Sequence, residues 1–169
     1  MEPFLFNPKL SWVRRLQPTS HVKGVSPMYK VVIADDHCIV REGLHILLNS
    51  CGSYAVTGEA TNGNEAIAQS LALVPDLLLT DLKMPGTSII EGAKTLKVRY
   101  PKMKIIILTA VDESEDIYRA FKAGIDGYLM KDTSPEVILS TIADVMKGAS
   151  IFQSKENISD QPDSRRSSL

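Results

Sequence analysis

Cysteine is scarce in this sequence: Cys38 and Cys51 are the two present among 169 residues. They sit thirteen positions apart, at opposite ends of a stretch with helical apolar spacing. At about 1.5 Å of rise per residue that separates them by roughly 20 Å, whereas a disulfide spans about 6 Å between Cα atoms, so the pair cannot close within the chain. Neither has His or Cys neighbours at metal-ligand spacing, and both are expected to be buried or incidental. Long apolar runs are missing too. The longest, Leu77-Leu78-Leu79 and Ile105-Ile106-Ile107-Leu108, fall far short of the roughly 20 residues that cross a bilayer, so no membrane partner is expected. Residues 1–27 carry Phe4, Leu5, Phe6, Trp12 and Val13, but Pro3, Pro8 and Lys9 interrupt them, and no secretory apolar core of about 7 to 15 residues forms. The cytoplasm is the default location. No sign of charge dominates either: the formal net charge is −1 and the pI is near 6.3. Without a basic face there is no means of releasing counterions from a phosphate backbone, so direct nucleic-acid binding is not expected.

What is present is one domain of patterned sequence. With 44% hydrophobic and 23% charged residues, the composition is that of a globular protein with a single core. Three regions follow from the patterning: an irregular N-terminal extension 1–28, an ordered body 29–150, and a polar tail 151–169. The tail is rich in Ser, Asp, Lys and Arg, lacks apolar periodicity and reads as disordered. Met28, immediately before the body, marks a second candidate start.

The body alternates short apolar runs with amphipathic stretches. Lys30–Asp35, Tyr54–Ala60, Asp76–Thr80, Met103–Thr109 and Ile125–Met130 read as strands, several of them continuous enough to be buried on both faces. Between them, Val40, Leu44, Leu47 and Leu48 stand at helical spacing, and Asn62 with Glu65 makes a capping-box-like start for a helix through Leu73. A helix from about Ile89 to Arg99 leads to Pro101. Asp112 with Glu115 is expected to cap a helix that ends near Gly124, and Ser134-Pro135-Glu136 reads as N-cap, N1 and N2 of a last helix to about Lys147. Five strands alternating with five helices imply right-handed crossovers and a doubly wound α/β domain with a parallel sheet. Ligands of such sheets sit beyond the carboxyl ends of the strands, where the strand order reverses.

Acidic residues gather at that edge: Asp35 and Asp36 follow the first strand and Asp81 the third. Carboxylates this close repel unless a cation compensates or one stays protonated, and an all-oxygen donor set suits a hard ion such as magnesium. Thr109 ends the fourth strand and Lys131 follows the fifth. A carboxylate nucleophile, a metal, a hydroxyl and an ammonium on one edge are what phosphoryl transfer requires, with an aspartyl phosphate as product.

Val32-Ile33-Ala34-Asp35-Asp36-His37, Asp81-Leu82-Lys83-Met84-Pro85-Gly86, Leu108-Thr109-Ala110 and Gly127-Tyr128-Leu129-Met130-Lys131-Asp132 together resemble the receiver domain of two-component response regulators, over about residues 29–150. The likeness is greatest to receivers of the LuxR-type helix-turn-helix subfamily, here without the DNA-binding domain. The resemblance implies a flavodoxin-like (βα)5 fold with a five-stranded parallel sheet in the order 2-1-3-4-5. It implies that Asp81 is the phosphoacceptor, that Asp35, Asp36, Asp81 and the backbone carbonyl of Lys83 hold Mg2+, and that Thr109 and Lys131 bind the phosphoryl oxygens. Tyr128 matches the switch aromatic, whose ring turns inward when the threonine moves toward the phosphate. The partners implied are a histidine kinase or phosphotransfer protein, with homodimerisation on phosphorylation. Such a chain is a phosphoacceptor with intrinsic phosphotransfer and autodephosphorylation chemistry, not an enzyme acting on a separate substrate.

Two positions depart from the family. Ile89 stands where glycine is usual, and a β-branched residue tolerates positive φ poorly, so the loop beside Asp81 is expected to be rearranged. Asp132 follows Lys131 where the family often has a cis-proline. His37 is read as a first-turn helix residue, because magnesium prefers oxygen. Other readings stay open: a shortened relative of a transcription regulator, a receiver-like docking module that is not phosphorylated, and a haloacid-dehalogenase-type phosphotransferase. The last is weakened by Lys83, which stands where that family places a second Asp.

Overall fold

The computed structural model describes residues 28–154. Apart from Met28, the expected N-terminal extension lies outside the described residues, as does the tail beyond residue 154. The elements run β1 (Tyr29–Ala34), α1 (Cys38–Ser50), β2 (Tyr54–Ala60), α2 (Gly63–Leu73), β3 (Leu77–Thr80), α3 (Ile89–Arg99), β4 (Lys104–Thr109), α4 (Ser114–Lys122), β5 (Gly127–Met130), α5 (Pro135–Met146) and β6 (Ile151–Phe152). All strand pairs are parallel, in the order β2-β1-β3-β4-β5-β6. The doubly wound fold and the 2-1-3-4-5 order are as the sequence implies, with a short sixth strand added at one edge.

Alternation along the strands sorts their side chains into two cores. Val31, Ile33, Leu77, Leu79, Ile106, Leu108 and Leu129 face α1 and α5, meeting Leu44, Leu48, Ile138, Ile142 and Val145. Val32, Leu78, Ile105, Ile107 and Tyr128 face the other way, onto Ala66 of α2, Ile89, Ile90, Ala93 and Leu96 of α3, and Ala120 of α4. Each fully buried aliphatic side chain contributes roughly 1.5–3 kcal/mol. The sheet is thus fixed from both sides, and its strand ends form a rigid platform.

The structure bears on several local expectations. Ile89 opens α3 and is buried. Val74 is the one non-glycine residue with positive φ among those described, so the family's glycine position carries no left-handed strain here. The N-cap of α4 is Glu113, not Asp112: the helix begins at Ser114, and the Glu113 side chain makes no capping hydrogen bond. Neither cysteine is buried; Cys38 and Cys51 are free and exposed at the two ends of α1. No cis peptide bond occurs among the described residues. Finally, Ile151 and Phe152 form β6 where the polar tail was expected to start. Gly148, at φ +109 after α5, makes the reversal that returns the chain to the sheet.

Candidate functional site

The site begins with register. Ala34 of β1 pairs with Thr80 of β3, and Thr109 of β4 with Met130 of β5. The backbone ladder continues one step beyond each pair: Asp81 N–H donates to the Ala34 carbonyl at 2.7 Å and Lys131 N–H to the Thr109 carbonyl at 2.7 Å. These bonds bring Asp35 and Asp81 side by side, and Thr109 beside Lys131. Since β2 lies on one side of β1 and β3 on the other, the carboxylates stand at the topological switch point.

Lys131 closes the cluster. Its ammonium lies 2.7 Å from Asp35 Oδ2 and 3.0 Å from Asp81 Oδ2. Burial pulls the Lys131 pKa down, but hydrogen bonds and charge from Asp35 and Asp81 outweigh it and hold the ammonium above its ordinary value. Asp35 and Asp81 are buried, while the Asp36 side chain keeps 35% of its exposure. Asp81 Oδ1 accepts the Leu82 N–H at 2.7 Å, and the Arg41 guanidinium donates to the Asp35 carbonyl at 2.8 Å. Both contacts fix the backbone that aims the carboxylates.

Ligand atoms of Asp35, Asp36, His37 and Asp81 lie within 4.8 Å of one another. His37, set aside at the sequence level, is part of this cluster: its Nδ1 is 3.1 Å from Asp35 Oδ1 and 3.0 Å from Asp36 Oδ1. It is the N-cap of α1, and its place directly after Asp35 and Asp36 was the signal that could have found it. Three carboxylates facing one ammonium leave the site short of positive charge. An oxygen-rich, negatively biased donor set fits a hard divalent cation such as magnesium.

The loop after Asp81 is held from two directions. The Gly63 N–H donates to the Pro85 carbonyl at 2.9 Å, and a Cβ on Gly63 would collide with the Thr87 carbonyl, so only glycine allows α2 this close. Asn64 Oδ1 accepts the Thr87 N–H at 2.8 Å. On the other side the Lys83 ammonium reaches Asp116 of α4 at 2.9 Å, and that hydrogen bond raises the Lys83 pKa. Asp116 is buried, a partner that the spacing of α4 does not reveal.

Thr109 and Tyr128 meet through one residue. The Val111 N–H donates to Thr109 Oγ1 at 3.3 Å, and the Tyr128 hydroxyl donates to the Val111 carbonyl at 3.1 Å. Tyr128 is wholly buried, on a strand flanked by β4 and β6. Burial, followed by the negative charge of Asp116, pushes its phenol up to about 12.

The sequence pattern of the response regulator receiver domain matches residues 31–143. The chain belongs to this family. It is 40% identical over 124 residues to the uncharacterized transcriptional regulatory protein YxjL of Bacillus subtilis, covering 73% of this chain and 57% of that protein. It is 37% identical to the response regulator protein VraR of Staphylococcus aureus, covering 73% and 59%. It therefore spans less than two thirds of the length of these relatives. Among solved structures, the signal receiver domain of NarL from Mycobacterium tuberculosis superposes with a TM-score of 0.69 at 32% identity, over 73% of this chain and 99% of that one. The receiver domain of RcsB from Salmonella enterica, solved with the phosphomimetic BeF3−, gives 0.68 at 29% identity, over 75% and 94%. The receiver is thus of the type found in LuxR-family response regulators. No helix among the described residues is long and apolar enough to cross a membrane.

Proposed function

We propose that this receiver takes a phosphoryl group onto Asp81 from a histidine kinase or phosphotransfer protein in the cytoplasm. An Asp81 carboxylate oxygen attacks the phosphorus of a phosphohistidine. The O–P bond forms as the N–P bond breaks, and the leaving imidazole nitrogen takes up a proton. Asp35, Asp36, Asp81 and the Lys83 carbonyl are the groups we assign to Mg2+, which when bound offsets the negative charge gathered on the phosphoryl oxygens. Lys131, now shared by Asp35 and Asp81, turns to the phosphoryl group, and the Thr109 hydroxyl donates to it. Releasing Thr109 from the Val111 N–H is the first event of the switch, and Tyr128, bound to the Val111 carbonyl, holds its ring inward behind it.

The observation that carries this reading is Lys131 bridging Asp35 and Asp81 at the switch point. It supports the reading because two carboxylates at the switch point lie within hydrogen-bond reach of one cation. Incubation with acetyl phosphate and magnesium should label the protein at one phosphoryl per chain, and Asp81→Asn should abolish the label. Full labelling of the variant, or none of the wild type, defeats the proposal. The likeness to a transcriptional regulatory protein of Bacillus subtilis makes transcription the first output to test, with a homodimer formed on phosphorylation as its vehicle.

A further inference from the structure

The strand added at the sheet edge bears directly on Tyr128. Phe152 of β6 is in register with Tyr128 of β5, so the two side chains lie on the same face, next to each other. The backbone joins them too: Gln153 N–H donates to the Tyr128 carbonyl at 2.9 Å, and Ile151 N–H to the Asp126 carbonyl at 3.0 Å. Phe152 meets Phe121 of α4 edge-on, with ring centroids 5.6 Å apart and planes at 75°, and packs on the same core as Tyr128. The opposite flank of β5 is closed by β4. A Tyr128 ring leaving the core must therefore pass over the sheet edge, where Phe152 stands.

We propose that Phe152 is a positioning residue for Tyr128, and that docking of β6 and occupancy of Asp81 are linked through it. With β6 docked, the ring is confined to the core and its hydroxyl to the Val111 carbonyl, an arrangement that stays intact when Thr109 gives up the Val111 N–H and turns to a phosphoryl group. A ligand at Asp81 that favours this arrangement must, by thermodynamic reciprocity, favour docked β6. Phe152 is then held against Phe121 of α4 when Asp81 is occupied and less firmly when it is not. A two-residue strand held by few bonds sits at the low-stability end of the fold, which is what a movable element requires. This inference rests on the reading of Asp81 as the phosphoacceptor.

Beryllofluoride with magnesium, added to the full chain, is the probe. Its binding is followed by calorimetry and the Ile151 and Gln153 amides by hydrogen exchange. The expected result is that saturation slows exchange at both amides by about fivefold or more. Phe152→Ala should weaken beryllofluoride binding by a similar factor, and Phe152→Leu should restore most of it. Binding with unchanged exchange at both amides, or Phe152→Ala binding as tightly as wild type, overturns the proposal. The exchange measurement needs only the wild-type protein. If beryllofluoride gives no Asp81-dependent heat, the phosphoacceptor reading falls first and takes this inference with it.

Discussion

Burial pushes the Tyr128 phenol up to about 12, with the negative charge of Asp116 adding to it. In the unfolded chain a tyrosine ionises near pH 10. Between roughly pH 10 and 12 the unfolded state has therefore released a proton that the folded state keeps, and stability falls as the pH rises, by at most about 1.4 kcal/mol per pH unit from this residue. Lys131 acts in the same direction. Its folded pKa is raised, so its contribution is whole below the ordinary lysine value and is lost as the pH climbs through the raised one. Denaturant midpoints measured upward from about pH 9 should decline beyond 10, and Tyr128→Phe should flatten that decline. An equally steep decline in the variant would show that the phenol plays no part. Ile89 can be tested by restoring the family's residue. Its side chain is 2% exposed among the α3 core residues, and truncating a buried isoleucine costs about 2–5 kcal/mol, with glycine adding up to about 1 within a helix. Ile89→Gly should therefore lower stability by about 3–5 kcal/mol, with Ile89→Ala recovering only the backbone share. Urea midpoints for the pair decide it, and a midpoint like that of the wild type would mean that the glycine position tolerates either residue.

Elements were legible where the signal was local. Asn62 does cap α2, accepting the Glu65 N–H at 2.9 Å, and Glu65 closes the turn on Thr61. Strands β3 and β4 are unbroken apolar runs because both faces are covered, which leaves a plain mark in sequence. The same spacing misled at Asp112 and Glu115, since the N-cap of α4 is Glu113, whose side chain makes no capping hydrogen bond. Cap propensity says where a helix can start, not where the incoming loop delivers the chain. β6 was not legible at all: two residues have no period, and the strand exists because β5 offers an open edge far away in sequence. At the site, the residue types on each strand end could be read, but neither the Lys131 bridge nor the shared Val111 could, because both depend on register between strands. The end of α2 offers a test at this scale. Val74 caps it at φ 45, ψ 63, a left-handed conformation that a β-branched side chain enters at a cost of roughly 1–2 kcal/mol. The residue is 44% exposed, so little packing is at stake. Val74→Asn should raise stability by about 0.5–1 kcal/mol and the melting temperature by a few degrees, as a thermal melt would show. A lowered melting temperature would mean that the valine side chain packs for more than its exposure suggests.

Taken whole, the molecule concentrates an electrostatic problem that its composition hides. The net charge of −1 is close to balance, yet the parallel sheet aligns its strand ends so that three carboxylates share one edge with a single ammonium. Spread over the surface these charges would cost little. Gathered at the switch point they repel, and the repulsion is borne by the folded state alone, because the unfolded chain keeps Asp35 and Asp81 far apart. A divalent cation that binds only the folded cluster then stabilises the whole fold, by about 2.7 kcal/mol when its free concentration is a hundred times its Kd. Millimolar-range magnesium titrations should accordingly raise the melting temperature by several degrees and saturate, and sodium at matched ionic strength should not reproduce the effect. Asp36 separates binding from simple charge screening. It is the most exposed of the three carboxylates, so Asp36→Asn removes a proposed ligand without opening the core. In the variant the melting temperature without magnesium should not fall, since one repulsion is gone, while the magnesium-induced rise should shrink or vanish. A rise of wild-type size in Asp36→Asn would mean that the cation stabilises the fold from somewhere else.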